Sequence, residues 1–154
     1  MPRPPDIDHA WSVRIQRTAD GDARAYARTQ SFDVRTQASL RESDGHPSAV
    51  EYLLGALGGD LVCGFQKEAA ARGLSIHAVE LSIAGRLNNV LVHIGVIGEH
   101  GHPGFESITG TLYVGAVADE QEVDSAWRET LARSPLFNTL SRCATVAINL
   151  RVMS

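Results

Sequence analysis

The chain has 154 residues, of which 44% are hydrophobic and 21% charged, and its net charge is −4. That length suits one domain with a sizeable core, and the acidic balance leaves no basic footprint for a nucleic acid. No run of about 18 apolar residues is present, so no membrane-spanning helix is expected. The Pro-rich start lacks the apolar stretch of a secretory signal, so the expected address is cytoplasmic.

Residues 1–9 read as a loose tail, and residues 10–154 as a single domain. Trp11, Val13 and Ile15 alternate with Ser12, Arg14 and Gln16, the pattern of a half-buried strand. Ala19-Asp20-Gly21-Asp22 is a turn signal, and Ala23–Thr29 supplies a hairpin partner. Phe32 and Val34 predict a further short strand, and 42–47 a loop.

The spacing then predicts a long helix over Ala49–Arg72. Ser48 and Glu51 fit a capping box, and Gly73 fits a C-terminal cap. From Tyr52 to Phe65 this helix is apolar nearly all round, so most of its sides should be buried. A domain this small has little to cover it with, so a partner subunit is expected to contribute. Gly55, Gly58, Gly59 and Gly64 each weaken a helix by up to about 1 kcal/mol relative to Ala, which points to close approach of another backbone. Asp60 interrupts this apolar stretch. A carboxylate there must be neutralised, paired or wetted, because an unpaired buried charge costs several kcal/mol. It reads either as a general acid or base or as a tolerated carboxylate rescued by an arginine or by water at a subunit seam.

Three strands are predicted next, around Val79–Ile83, Val90–Val96 and Ile108–Val114. Asp119 and Glu122 open a helix whose apolar stripe is Val123, Ala126, Trp127 and Thr130. Ser134-Pro135 starts a short helix with Ser as N-cap and Pro at the first helical position. Val146–Val152 closes the chain as a strand. The order is α+β, with an N-terminal hairpin, a long central helix and an antiparallel sheet.

Other chemistry-bearing residues read more simply. Cys63 stands one helical turn from Asp60; it reads either as a small buried hydrophobe or as a displaced reactive thiol. Cys143, at the start of the last strand, reads as structural. Neither cysteine has zinc spacing. His100 and His102 share a loop with Glu99 but lack a third ligand at useful spacing, and His77 and His93 lie on predicted strands. No metal and no cofactor are expected.

Three stretches together resemble the OsmC/Ohr superfamily of osmotically inducible and organic hydroperoxide resistance proteins. Val50–Asp60 resembles that family's central-helix motif. Ala70-Ala71-Arg72-Gly73-Leu74, with the strand ending at Gly85, resembles its next segment. Ala132-Arg133-Ser134-Pro135-Leu136-Phe137-Asn138-Thr139-Leu140 resembles its "ARSPVFDTL" stretch, and Pro103-Gly104-Phe105 also fits. The likeness covers roughly 10–153 in the same order.

The resemblance implies an OsmC-like fold in an intertwined homodimer, with two central helices back to back and sheets from both chains around them. It also implies thiol peroxidase ancestry. In such proteins a cysteine on the central helix attacks an organic hydroperoxide, and a second cysteine resolves the sulfenic acid as a disulfide. A hairpin arginine and a glutamate near the helix start activate the first thiol. Here the reactive position carries Asp60 and the resolving position Ser134. Neither can form a sulfenic acid or a disulfide. Arg17 is the nearest match to the arginine, with Arg14 and Arg24 behind it. Glu51 stands for the glutamate, although nine residues on an ideal helix put it on the face opposite Asp60.

The resemblance further implies an interface pocket for a small hydrophobic molecule, near His46, Leu57, Gly64, Ser134 and Phe137. Three functions fit these residues. The first is a relative of organic peroxide reductases that relies on Cys63 if on any thiol. The second is a non-redox enzyme using Asp60 as acid or base, and the third a ligand-binding or structural dimer without turnover.

Overall fold

The computed structural model describes residues 10–35 and 45–153. The predicted tail and residues 42–44 of the predicted loop lie outside them. The chain divides into two compact units between Val50 and Glu51.

The first unit holds a three-stranded antiparallel sheet of β1 (Arg14–Arg17), β2 (Ala23–Ala27) and β3 (Gln30–Val34), in that order. The first strand is shorter than predicted. Its side chains are exposed rather than half-buried: Ile15 is 62% exposed, and Val13 just before it 48%. The β1–β2 turn is closed by the Thr18 amide donating to the Asp22 carbonyl, with Gly21 at φ 91°. Register places Arg24 opposite Asp33 and Arg14 opposite Tyr26. Both pairs interact across the strands. Arg24 donates to both Asp33 oxygens, at 2.6 and 2.9 Å, and the Arg14 guanidinium lies 4.3 Å from the centre of the Tyr26 ring. The Arg24 guanidinium holds the Asp33 carboxyl below its ordinary range.

The second unit is built on α1 (Ala49–Ala71), which enters it at Glu51. Its C-terminus is a Schellman motif: the Leu74 amide donates to Ala69 and the Gly73 amide to Ala70, with Gly73 at φ 67°. A left-handed residue is needed there, and only glycine adopts it without a Cβ penalty. Along α1 the buried residues are Leu57, Leu61, Phe65 and Ala69, one stripe at four-residue spacing. Within the chain the other side stays open, so Gly55, Ala56, Gly59 and Cys63 are exposed. The expectation of a buried Cys63 does not hold within the chain.

The glycines of α1 also separate. A Cβ on Gly58 would meet Leu81 and Ile83, and one on Gly64 would lie 3.2 Å from the Thr130 methyl. A Cβ on Gly55 or Gly59 would meet nothing within 4 Å.

The α1 stripe packs on a sheet of β4 (Ser75–Leu87), β5 (Phe105–Val117) and β6 (Thr145–Met153), in that order. The sheet is mixed, not antiparallel as predicted. β4 and β5 run antiparallel, while β5 and β6 run parallel. Two helices connect the parallel pair, α3 (Glu120–Arg133) and α4 (Pro135–Leu140), and parallel neighbours need such a crossover. Ile108, Leu112, Val114 and Ala116 of β5 face the core, all at even-numbered positions along the strand. Val123, Ala126 and Trp127 of α3 complete it, with Phe65 edge-on to Trp127 at 6.3 Å between ring centres.

The strand predicted over Val90–Val96 is instead a helical turn, α2 (Val90–His93). The Asn89 side chain caps it by accepting from the Leu91 and Val92 amides, at 3.1 and 3.3 Å. Gly95 and Gly98 then take positive φ angles of 76° and 89°, which end any extended run. No helix among the described residues is long and apolar enough to cross a membrane.

Candidate functional site

In the second unit a cleft of about 230 Å³ is lined by Asp60, Gly64, Lys67, Glu68 and Ala71 of α1, by Thr130 and Arg133 of α3, and by Ser134. The α1 residues recur at intervals of four, seven, eight and eleven from Asp60. They therefore lie along one face of the helix. Gly64 lets α3 come close, since any larger residue would press on Thr130.

Ser134 is the hinge of the site. It ends α3 and caps α4, and it is 5% exposed. Its Oγ accepts from the Phe137 amide at 2.9 Å, which satisfies an otherwise unpaired donor of the short helix. The same Oγ donates to Asp60 Oδ2 at 2.5 Å. The corner is held by Asn138, whose side-chain amide donates to the carbonyls of Leu131, Ala132 and Ser134, at 3.0, 3.1 and 2.7 Å.

Asp60 is half-buried. Among the described residues, Ser134 is its hydrogen-bond partner, and no Lys, Arg or His side chain comes within ion-pair distance of it. One carboxylate oxygen is thus anchored, and Oδ1 makes no bond to a described residue.

Glu68 is held from two sides, by Arg72 Nε at 2.9 Å and Arg133 Nη1 at 3.2 Å. Arg72 also reaches Ser125 Oγ at 2.8 Å, and Arg133 Nε reaches Glu129 at 2.6 Å. The network ties the last turns of α1 to α3. No group of three or more metal-ligating side chains occurs among the described residues.

The cleft brings together Asp60, Ser134 and Gly64 from the expected set. Phe137 contributes its amide to Ser134 and packs against the core without lining the cleft. Leu57 is fully buried in the core, so it presents nothing to a ligand in the cleft. Cys63 and Glu51 are exposed on α1, outside the cleft lining. Arg17 and His46 belong to the first unit. Arg17 is exposed on β1, and His46 Nε2 lies 3.8 Å from Asp33. Cys143 lies in the turn before β6, exposed, with its thiol donating to the Leu140 carbonyl.

Sequence reasoning missed Lys67, Glu68, Ala71, Thr130 and Arg133 as site residues. For the α1 members the signal was present, because their spacing from Asp60 is helical. For Arg133 it was the adjacency to Ser134.

A profile of OsmC-like proteins matches residues 42–149. No curated protein sequence matches the chain. Solved structures similar to it include an OsmC-like protein from Mycoplasma pneumoniae, 14% identical, covering 96% of this chain and 100% of that one, with a TM-score of 0.80. An organic hydroperoxide resistance protein, OhrB of Bacillus subtilis, is 12% identical over 92% of this chain and 98% of its own, with a TM-score of 0.60. Another, from Legionella pneumophila, is 10% identical over 92% and 96%, with a TM-score of 0.62. At such identities the likeness speaks for the fold. The match over most of the length, with the same α+β arrangement of helices and sheets, makes this chain a member of the OsmC-like protein family.

Proposed function

We propose that this chain is a relative of the organic hydroperoxide resistance proteins in which carboxylate chemistry stands in place of thiol chemistry. The observation that carries the reading is the 2.5 Å hydrogen bond from Ser134 Oγ to Asp60 Oδ2. By the sequence resemblance, these are the positions of the resolving and reactive cysteines. Reducing a hydroperoxide removes two electrons from a thiol, and neither a carboxylate nor a hydroxyl can give them up. What Asp60 can do is accept a proton. Ser134 anchors Oδ2, so Oδ1 is the oxygen available to take a proton from a small molecule in the cleft and return it. Geometry of this kind fixes the base before substrate arrives.

Dithiol-dependent reduction of cumene hydroperoxide by the wild-type protein is the direct test. Turnover should stay near the uncatalysed background. Fast turnover that disappears in Cys63→Ser would show instead that the Cys63 thiol has taken over the reaction.

We also propose that the protein works as a homodimer, with a second copy covering the open face of α1. Gly55, Ala56, Gly59 and Cys63 are exposed there, small and uncharged, which lets two helices approach closely. Gly58 is no probe of that seam, because a Cβ there already touches Leu81 and Ile83 of the same chain. Gly59 has open space within the chain, so Gly59→Leu should leave the protomer folded and shift sedimentation from dimer toward monomer. A monomeric wild type at micromolar concentration, or a dimer unmoved by Gly59→Leu, would remove this assembly.

A further inference from the structure

The cleft carries more cationic donors than its own carboxylates use. Lys67 offers three N–H groups and makes no hydrogen bond or ion pair to a described residue. Arg133 spends Nη1 on Glu68 and Nε on Glu129, which leaves Nη2 and one Nη1 proton. Its side chain is 70% exposed, and Glu68 keeps its 2.9 Å contact with Arg72 if Arg133 turns to a ligand. Glu68 and Glu129 balance Arg72 and Arg133. Lys67 is then the unmatched cation of the cleft, and Asp60 the unmatched anion.

The two lie apart. Seven residues at 1.5 Å rise place Lys67 about 10 Å along α1 from Asp60. Glu68, which Arg133 touches, is at the level of Lys67. The cleft therefore has a cationic end, at Lys67 and Arg133, and a carboxylate end, at Asp60 and Ser134, with Gly64 and the Thr130 methyl between. Its volume, about 230 Å³, lies below the roughly 300–1,000 Å³ of sites for drug-sized ligands.

We infer that the cleft selects a small, elongated organic anion, its charged group held by Lys67 and Arg133 and its neutral end turned to Asp60. The inference rests on the cleft being the binding site, as proposed above. Asp60 itself enforces the direction, since the negative group is repelled from that end and attracted to the other. A neutral apolar molecule of the same length fills the same space without engaging either cation.

Hexanoate and n-hexanol form a matched pair of probes, titrated calorimetrically into the full-length protein. Hexanoate should bind at least about tenfold more tightly, the low end of what charge-assisted contacts contribute. Added salt should weaken hexanoate and leave hexanol unchanged. Lys67→Met/Arg133→Met should erase the preference while hexanol affinity stays put. Lys67→Met alone, at an exposed position with no described partner, should reduce it with an unchanged melting temperature, which covers the case of an unstable double variant. Equal affinities in the wild type, or an undiminished preference in Lys67→Met, would overturn the anion assignment while leaving the cleft as a binding site. Binding of neither probe would overturn both.

Discussion

Asp60→Asn should keep the fold and lose about 10²–10⁴-fold of the turnover on the cleft's own substrate, the usual contribution of a positioned general base. The amide is nearly isosteric, and its oxygen can still accept from Ser134 Oγ, so the 2.5 Å contact survives as a weaker neutral bond. Unfolding free energy should therefore change by no more than about 1 kcal/mol. Asp60→Ala is the informative contrast. It leaves the hydroxyl of Ser134, a residue 5% exposed, without its acceptor, and an unsatisfied buried donor costs about 1–3 kcal/mol. Denaturant titrations that rank wild type and Asn together, with Ala below, would match the observed geometry. Identical stability of all three would show that the hydrogen bond contributes nothing. Full turnover in Asp60→Asn, measured on the molecule recovered with the protein by native mass spectrometry, would end the acid–base role.

Much of the fold is legible in the sequence because its signals are local. Val123, Ala126, Trp127 and Thr130 have the spacing of a buried helical stripe, and they are the buried residues of α3. Ser134 with Pro135 behind it has the pattern of a cap, and its Oγ accepts from the Phe137 amide. Gly73 stands where a C-cap belongs, and it takes the left-handed conformation that the cap requires. In each case the chemistry sits within a few residues of the feature that it controls.

The misreadings arise where two signals compete or where the partner is remote. Val90, Val92, Ile94 and Val96 alternate like a strand. Yet Asn89 satisfies two amides of a helical turn, and the glycines that follow turn the chain away. An apolar run does not say which of its faces is covered. The α1 stripe through Leu57, Leu61 and Phe65 leaves Cys63 on the open side and takes Leu57 out of reach of a ligand. The parallel pairing of β6 follows from the α3–α4 crossover and is invisible in the strand's own residues. Asp60 and Ser134 each stand out in the sequence. Their contact, across 74 residues, is a product of the fold.

That contact sets up the second large effect, which is the reverse experiment. Asp60→Cys/Ser134→Cys should give a chain that forms an intramolecular disulfide on mild oxidation, with mass spectrometry showing the loss of two hydrogens and one linked peptide pair. The Ser134 Oγ position is where a cysteine sulfur would sit. A cysteine at position 60 carries its sulfur near the present carboxylate carbon, one bond short of the oxygen now 2.5 Å from Ser134. A modest shift of α4 then brings two sulfurs within bonding reach of about 2.05 Å. The balance also works for catalysis. The thiolate introduced at position 60 attacks the hydroperoxide O–O bond and becomes a sulfenic acid, and the alcohol leaves. The thiol at position 134 then displaces water to form the disulfide, and an external dithiol returns both electrons. Dithiol-dependent peroxidase activity should therefore rise well above the wild-type background in the double variant. Asp60→Cys alone should stop at a sulfenic acid that a dimedone label captures. Disulfide formation without turnover would mean that the thiol lacks an activating cation, and would point the search to the hairpin arginines. A double variant that neither crosslinks nor captures dimedone would show that positions 60 and 134 do not stand where the family keeps its thiols, and the carboxylate reading of the cleft would lose its foundation.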